Sequence, residues 1–288
     1  IPSSEERRLS SGSLEPLRPD LRYTQRLSIT VGIVLLGLVA SLLIDIPSRT
    51  LTLHVLGSPL ALNVSGRYLV VALLVGLTCT GTEALIRTHA LARRRQIDNT
   101  FVLWTVPAVL VFFAALVLPH APNRLAWLGG IVVTAALLSL SMTAEYHTIN
   151  PEDARYDLSQ IFLTGMIYAL ALASFVLVYG AKSRSLFSAT VLFFVALLFS
   201  LERLRLAGHG VSVSRAYALV NGVLIGESVW ALNYSRVPGV MVGIFLLITF
   251  HVVTGVAQQH LNGRLTSRVV LEYVLVALLG IGLTVYYF

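Results

Sequence analysis

Charge is scarce in this chain. Asp, Glu, Lys and Arg make up only 12% of its 288 residues, and lysine occurs once, at Lys182. A water-soluble domain usually carries about twice that share, roughly 25%, so a soluble globular fold is a poor match. Cysteine is nearly absent too: Cys79 stands alone, which excludes an intrachain disulfide. Beyond the first 26 residues no polar stretch is long enough to hold a core of its own, so no ATPase or kinase module is appended. The chain lacks a phosphate-binding glycine loop, a Gly-x-Ser-x-Gly elbow, a Cys-x-x-Cys pair, His-Glu-x-x-His, an EF-hand loop and an aspartate-rich pyrophosphate motif. No cofactor and no metal centre is therefore expected. Lys182 falls between spans, so no lysine is placed for a retinal Schiff base.

What the chain has instead is apolar length. Hydrophobic residues make up 56% of it, and the mean hydropathy is +0.80. Nine stretches, each near the twenty residues needed to cross about 30 Å of hydrocarbon, fall at 27–45, 67–87, 100–118, 125–144, 159–179, 186–202, 214–233, 237–259 and 268–287. Lipid cannot satisfy an exposed backbone, so each must be helical. The expected fold is all-α: a polytopic membrane helix bundle of about nine transmembrane helices, residues 27–288, preceded by a mobile polar cytoplasmic tail, 1–26, whose Ser, Pro, Gly and mixed charges give no apolar run. Pro107 should kink the third span.

The net charge of +7 raises nucleic acid as a partner, but the arginines sit in the breaks between spans, where they mark cytoplasmic loops. With the N-terminus inside, fifteen basic residues lie on the cytoplasmic side, among them Arg87, Arg93, Arg94, Arg95, Arg155, Arg203, Arg205, Arg215, Arg264 and Arg268. Six lie outside: Arg49, Arg67, Arg124, Lys182, Arg184 and Arg236. An odd number of spans puts Phe288 outside. The near-exclusive use of Arg over Lys is common in GC-rich bacterial genomes and suggests a bacterial inner membrane. Between spans one and two, Leu51, Leu53 and Val55 alternate with polar residues, as do Leu60, Leu62 and Val64. Flanking Gly57-Ser58, they predict a small outer β-hairpin over about 50–65.

Glu227 is the leading candidate for chemistry. It lies about 10 Å inside the seventh span at helical rise, and an ionisable group at such depth is a functional hypothesis by default. Gly222/Gly226 on span seven and Gly239/Gly243 on span eight form Gly-x-x-x-Gly patterns, which let helices approach closely. Such packing should hold Glu227 inside the bundle. His251, mid-way along span eight, and Asn221, below Glu227, are its candidate partners in a ligand site or proton relay; the plainer role for each is interhelical hydrogen bonding. Glu83 with Arg87, Glu202 with Arg205, and Glu272 with Arg268 stand at helical pairing distance. Spans two, four and six each carry Ala-Leu-Leu followed by Glu near the inner end, at Glu83, Glu145 and Glu202, the pattern of a repeated helical hairpin. In the inner loop, Asn150 should cap a helix with Pro151 at its first position and Glu152 and Asp153 at its positive end. Arg93, Arg94, Arg95, Arg203 and Arg205 are candidates to meet lipid headgroups at the cytoplasmic face.

Three function classes remain open. The first is a transporter-like or accessory membrane subunit, with membrane lipids and other membrane subunits as partners. The second is an enzyme acting on a (phospho)lipid at the cytoplasmic face through the Glu145–Asp157 loop. The third is a purely structural subunit.

Overall fold

The computed structural model describes residues 19–43, 49–55, 58–64, 66–89, 91–92, 99–181, 185–235 and 237–286, with side chains over 23–41, 66, 68–89, 91–92, 99–181, 186–235 and 237–282. Nine long helices run through the described residues: α1 Pro19–Leu43, α2 Gly66–Ile86, α3 Thr105–Val117, α4 Arg124–His147, α5 Tyr156–Gly180, α6 Ser185–Leu206, α7 Val211–Leu232, α8 Gly239–Leu261 and α9 Ser267–Tyr286. Seven of them, α1 to α6 and α8, are long and apolar enough to cross a membrane, α3 with its flanking 3-10 turns. Nine spans were expected. The polar side chains of Arg215, Asn221 and Glu227 dilute α7, and the described side chains of α9 end at 282, short of a span.

The tail differs as well. Residues 1–18 lie outside the described residues, but α1 begins at Pro19, eight residues before the expected start. Proline is well suited to a first helical turn, where its missing N–H has no partner to lose. Between α1 and α2, β1 Arg49–Val55 pairs antiparallel with β2 Ser58–Val64. Leu51 lies opposite Leu62, Leu53 opposite Leu60 and Val55 opposite Ser58. That register places Ser58 in β2 rather than in the turn, and residues 56 and 57 lie outside the described residues.

Pro107 does not kink a continuous helix. Thr100–Trp104 form a 3-10 turn and α3 begins at Thr105. Pro107 thus falls in the first α-helical turn, where no intrahelical hydrogen bond is lost. The inner loop also departs from expectation, since α5 begins at Tyr156 rather than after Asn150. The Asn150 side chain accepts from the N–H of Glu152 at 3.1 Å, and Asp153 accepts from the N–H of Arg155 at 2.9 Å. Two side-chain-closed turns take the place of a helix cap.

The core lies where α3 and α5 run through the middle of the bundle. Val106, Val111, Leu163, Ile167, Ala171 and Phe175 are fully buried there, against Leu138 and Met142 of α4 and Phe250 of α8. Glycines select the tightest helix pairs. A side-chain carbon at Gly222 would stand 3.0 Å from the Phe193 carbonyl of α6, and one at Gly226 3.5 Å from the Ala189 carbonyl. On α8, a side-chain carbon at Gly239 would sit 3.5 Å from the Gly180 backbone, and one at Gly243 would overlap Val176 of α5. Backbone contact of this closeness is what small residues provide in lipid. So α7 is drawn onto α6, and α8 onto α5.

Hydrogen bonds tie the two ends. At one end Tyr23 of α1 donates to Thr143 of α4 at 2.8 Å, Arg26 to the Ala84 carbonyl of α2 at 3.0 Å, and Gln160 of α5 to the Leu206 carbonyl of α6 at 2.6 Å. At the other, Tyr179 donates to the Leu232 carbonyl at 2.8 Å and Asn233 to Ser188 at 3.1 Å. The first end carries Arg26, Arg87, Arg155, Arg203, Arg205, Arg215, Arg264 and Arg268 and is termed the arginine-rich end below.

A candidate charge centre at the arginine-rich end

Two helices finish side by side at this end, and each brings a carboxylate. Glu145 lies in the last turn of α4 and Glu202 just before the last turn of α6; both are fully buried. Arg205, one turn beyond Glu202, turns inward between them, its side chain 15% exposed. Its Nε donates to both oxygens of Glu202, at 3.2 and 3.0 Å, and its Nη2 forms a short contact with the same carboxylate. Nη2 also donates to Glu145 Oε2 at 2.8 Å, and the guanidinium reaches the Thr148 hydroxyl at 3.4 Å.

The two carboxylates are held unequally. Glu202 receives the forked contact that the planar guanidinium is built to make. Glu145 receives one donor, and its Oε1 is buried with no hydrogen-bond partner among the described residues. Taken as ions, the three groups sum to one uncompensated negative charge. Removing charges from water costs several kcal/mol each, and their attraction offsets this only when pairing is complete. Pairing here is complete for Glu202 and incomplete for Glu145. Two further buried atoms at this end lack partners among the described residues, Arg203 Nε and His209 Nε2.

Beside this cluster lies a ring of aromatic and imidazole groups, of which His89 and Asp153 stand outside the membrane-spanning helices. Tyr146 packs against Tyr23 with the rings tilted and centroids 4.6 Å apart, and meets His89 edge-on at 4.7 Å. His147 Nδ1 contacts Asp153 Oδ2 at 2.8 Å. That hydrogen bond holds the Asp153 carboxyl below its usual range. Burial pushes His89 below the usual histidine value, and its Nδ1 accepts from the N–H of Leu91 at 3.2 Å. Among the described residues no three histidine, cysteine or carboxylate side chains converge as a metal site.

The candidates named from sequence lie elsewhere. Glu227 is exposed, on the α7 face formed by Val220, Val223, Leu224 and Trp230. The expectation that close glycine packing would turn it inward is overturned: Gly222 and Gly226 face α6, and Glu227 projects from the other side of the helix. No hydrogen bond or ion pair joins Glu227 to another described residue. His251 does not meet it; its Nδ1 is 2.8 Å from the Tyr168 hydroxyl of α5, and its ring lies 6.1 Å from that of Tyr273. Asn221 is buried and donates to Ser200 of α6 at 2.6 Å, while its Oδ1 has no partner among the described residues. The three thus lie apart.

The arginines divide similarly. Arg205 was a headgroup candidate, but burial on Glu145 and Glu202 withdraws it from the lipid surface. Arg203 is half-buried, and Arg93, Arg94 and Arg95 lie outside the described residues. Arg87 does pair with Glu83, at 2.5 Å, and Trp104 Nε1 donates to the same carboxylate at 3.0 Å. Arg268 and Glu272, at helical pairing distance, are both exposed and do not form an ion pair. The contact missed from sequence is Glu145 to Arg205, sixty residues apart. Its one trace was the Glu that follows Ala-Leu-Leu in spans four and six, which put Glu145 and Glu202 near the inner end of both.

Long apolar helices, polar groups gathered at their ends and broad apolar outer faces define a multi-pass membrane protein. The chain belongs to the family described as Protein of unknown function (DUF5656), whose model matches residues 46–287. No curated protein and no solved structure matches it.

Proposed function

We propose that the protein is a transporter-like membrane component whose proton-linked group is Glu145. The observation that carries this reading is the unequal sharing of Arg205: one buried carboxylate is fully paired, while the other keeps a buried oxygen without a donor among the described residues. An ionisable group in that position at the end of a membrane bundle is a functional hypothesis by default. Binding a proton at Glu145 removes the uncompensated charge and supplies an O–H donor. That changes the grip of Arg205, which links α4 to α6 across sixty residues of chain, so protonation and helix contact are coupled. The arginine bias supports an inner-membrane orientation with this end cytoplasmic and the C-terminus outside.

Infrared spectroscopy of the purified protein tests the site without a known substrate. A carboxyl band that changes with pH in the wild type and is missing from Glu145→Gln is expected. A titration spectrum identical in the two proteins rules the site out. The orientation has its own check. In a Cys79→Ala background, Asn262→Cys should be protected from an impermeant thiol reagent in intact cells and Asn233→Cys should label; the opposite pattern inverts the assignment.

A second reading, the accessory subunit, rests on α7. Glu227 sits among exposed apolar residues about 8 Å from the helix end at 1.5 Å per residue, where a partner helix carrying a donor would satisfy it. The lipid-enzyme alternative has less support, because His147 and Asp153 are paired with each other and Arg205 is occupied.

A further inference from the structure

The glycine-selected helix pairs leave a gap. With α7 drawn onto α6 and α8 onto α5, the α7–α8 seam opens toward the arginine-rich end into a cleft of about 440 Å³. That volume falls within the roughly 300–1,000 Å³ of small-molecule sites. Val220 of α7, Val253 and Val256 of α8 and Leu265 form its walls, and Tyr217 and His260 stand at its end with ring centroids 5.9 Å apart.

We infer that this cleft holds one acyl chain of an anionic phospholipid, with the headgroup against Arg264 and Arg268. The lining runs from Val252 to His260 on α8, about 12 Å at helical rise. One leaflet of a hydrocarbon core is about 15 Å deep, so the cleft matches the reach of a chain entering from one interface. Its apolar wall ends in two side chains with polar tips, Tyr217 and His260, as chain passes into headgroup at an interface. Just beyond come the basic groups. Arg264 immediately precedes Leu265, and Arg268 lies in the first turn of α9. Both are exposed and neither pairs with a described carboxylate. Glu272, one turn along α9, is the acid that offsets them, leaving an excess of one positive charge. That excess selects an anionic headgroup over a zwitterionic one.

Native mass spectrometry of the full chain, released from nanodiscs of mixed phosphatidylglycerol and phosphatidylcholine, tests this. The wild type should retain phosphatidylglycerol selectively. Arg264→Ala/Arg268→Ala should lower that retention on the order of tenfold. Val253→Trp, which fills the cleft, should do the same with all arginines present, and Val256→Phe serves if Val253→Trp lowers thermal stability. Arg124→Ala, at the opposite end, should change nothing. Equal retention of both lipids overturns the proposal, as does arginine-dependent retention that survives both cleft-filling variants. A cross-linked second copy at Val253→Cys would assign the cleft to protein instead and overturn it too.

Discussion

Glu145 and Glu227 are both carboxylates on apolar helices, and the bundle handles them in opposite ways. Glu145 is sealed at the end of α4 with a guanidinium and a second carboxylate around it. Glu227 projects from α7 toward the surroundings, between Leu224 and Trp230. Depth along the helix ranked Glu227 first; rotation about the helix axis reverses the order. That rotation was set by glycines one residue and five residues away, which commit their own side of α7 to α6. A small-residue motif therefore determines the environment of its neighbours, and does so by pointing them away as readily as inward.

Charge removal at the two places should separate them most sharply. Arg205→Leu leaves two buried carboxylates without their cation and should destabilise the bundle by about 3–5 kcal/mol. Glu145→Gln keeps an acceptor for Arg205 and should cost far less. Glu227→Leu should stay within about 0.5 kcal/mol, as substitutions at exposed positions do. Thermal melting in one detergent ranks all three. A melting loss for Glu227→Leu comparable to that of Arg205→Leu would erase the distinction. Should a partner subunit cover α7, Glu227→Leu would instead weaken co-purification of that partner and leave the isolated protein unchanged.

The apolar runs made the helices readable, because length against bilayer thickness is a one-dimensional test. Facing was not readable, and the physical reason is specific to lipid. In water an apolar stripe reveals which side of a helix turns inward. In a membrane both the core and the surroundings are apolar, so Val220 and Leu224, exposed, look like Ile225 and Val229, buried. Partner choice was hidden for the same reason: Gly222/Gly226 and Gly239/Gly243 announced close packing without saying that it engaged α6 and α5. Asn221 as interhelical glue was readable from its type alone, and its bond to Ser200 fits that role. Arg205 was misjudged because its pairing with Glu202 at helical spacing left Glu145, which only the fold brings close, out of consideration.

The smallest effect lies at the edge of the charge centre, in His89. Its neighbours there are Tyr146, His147 and Asp153, of which His147 adds repulsion and Asp153 attraction to a charged imidazole. Burial is the larger influence and favours the neutral ring. Protonation would also have to occur at Nδ1, the nitrogen that accepts from the Leu91 N–H, since the neutral ring then carries its proton on the other nitrogen. The folded protein therefore binds a proton at His89 less readily than the unfolded chain, whose histidines titrate near 6.5. Between the two values the unfolded state holds more protons, so stability rises with pH. It is full above about 6.5 and falls as the pH drops toward the folded-state value. Melting temperatures between about pH 7.5 and 5 should decline in the wild type and decline less steeply in His89→Asn, which cannot ionise. The two proteins differ in no other titratable group, so the difference between the slopes isolates His89. Parallel slopes would mean that the ring gains its proton without losing the Leu91 bond, and that the aromatic cluster accommodates a charge it otherwise excludes.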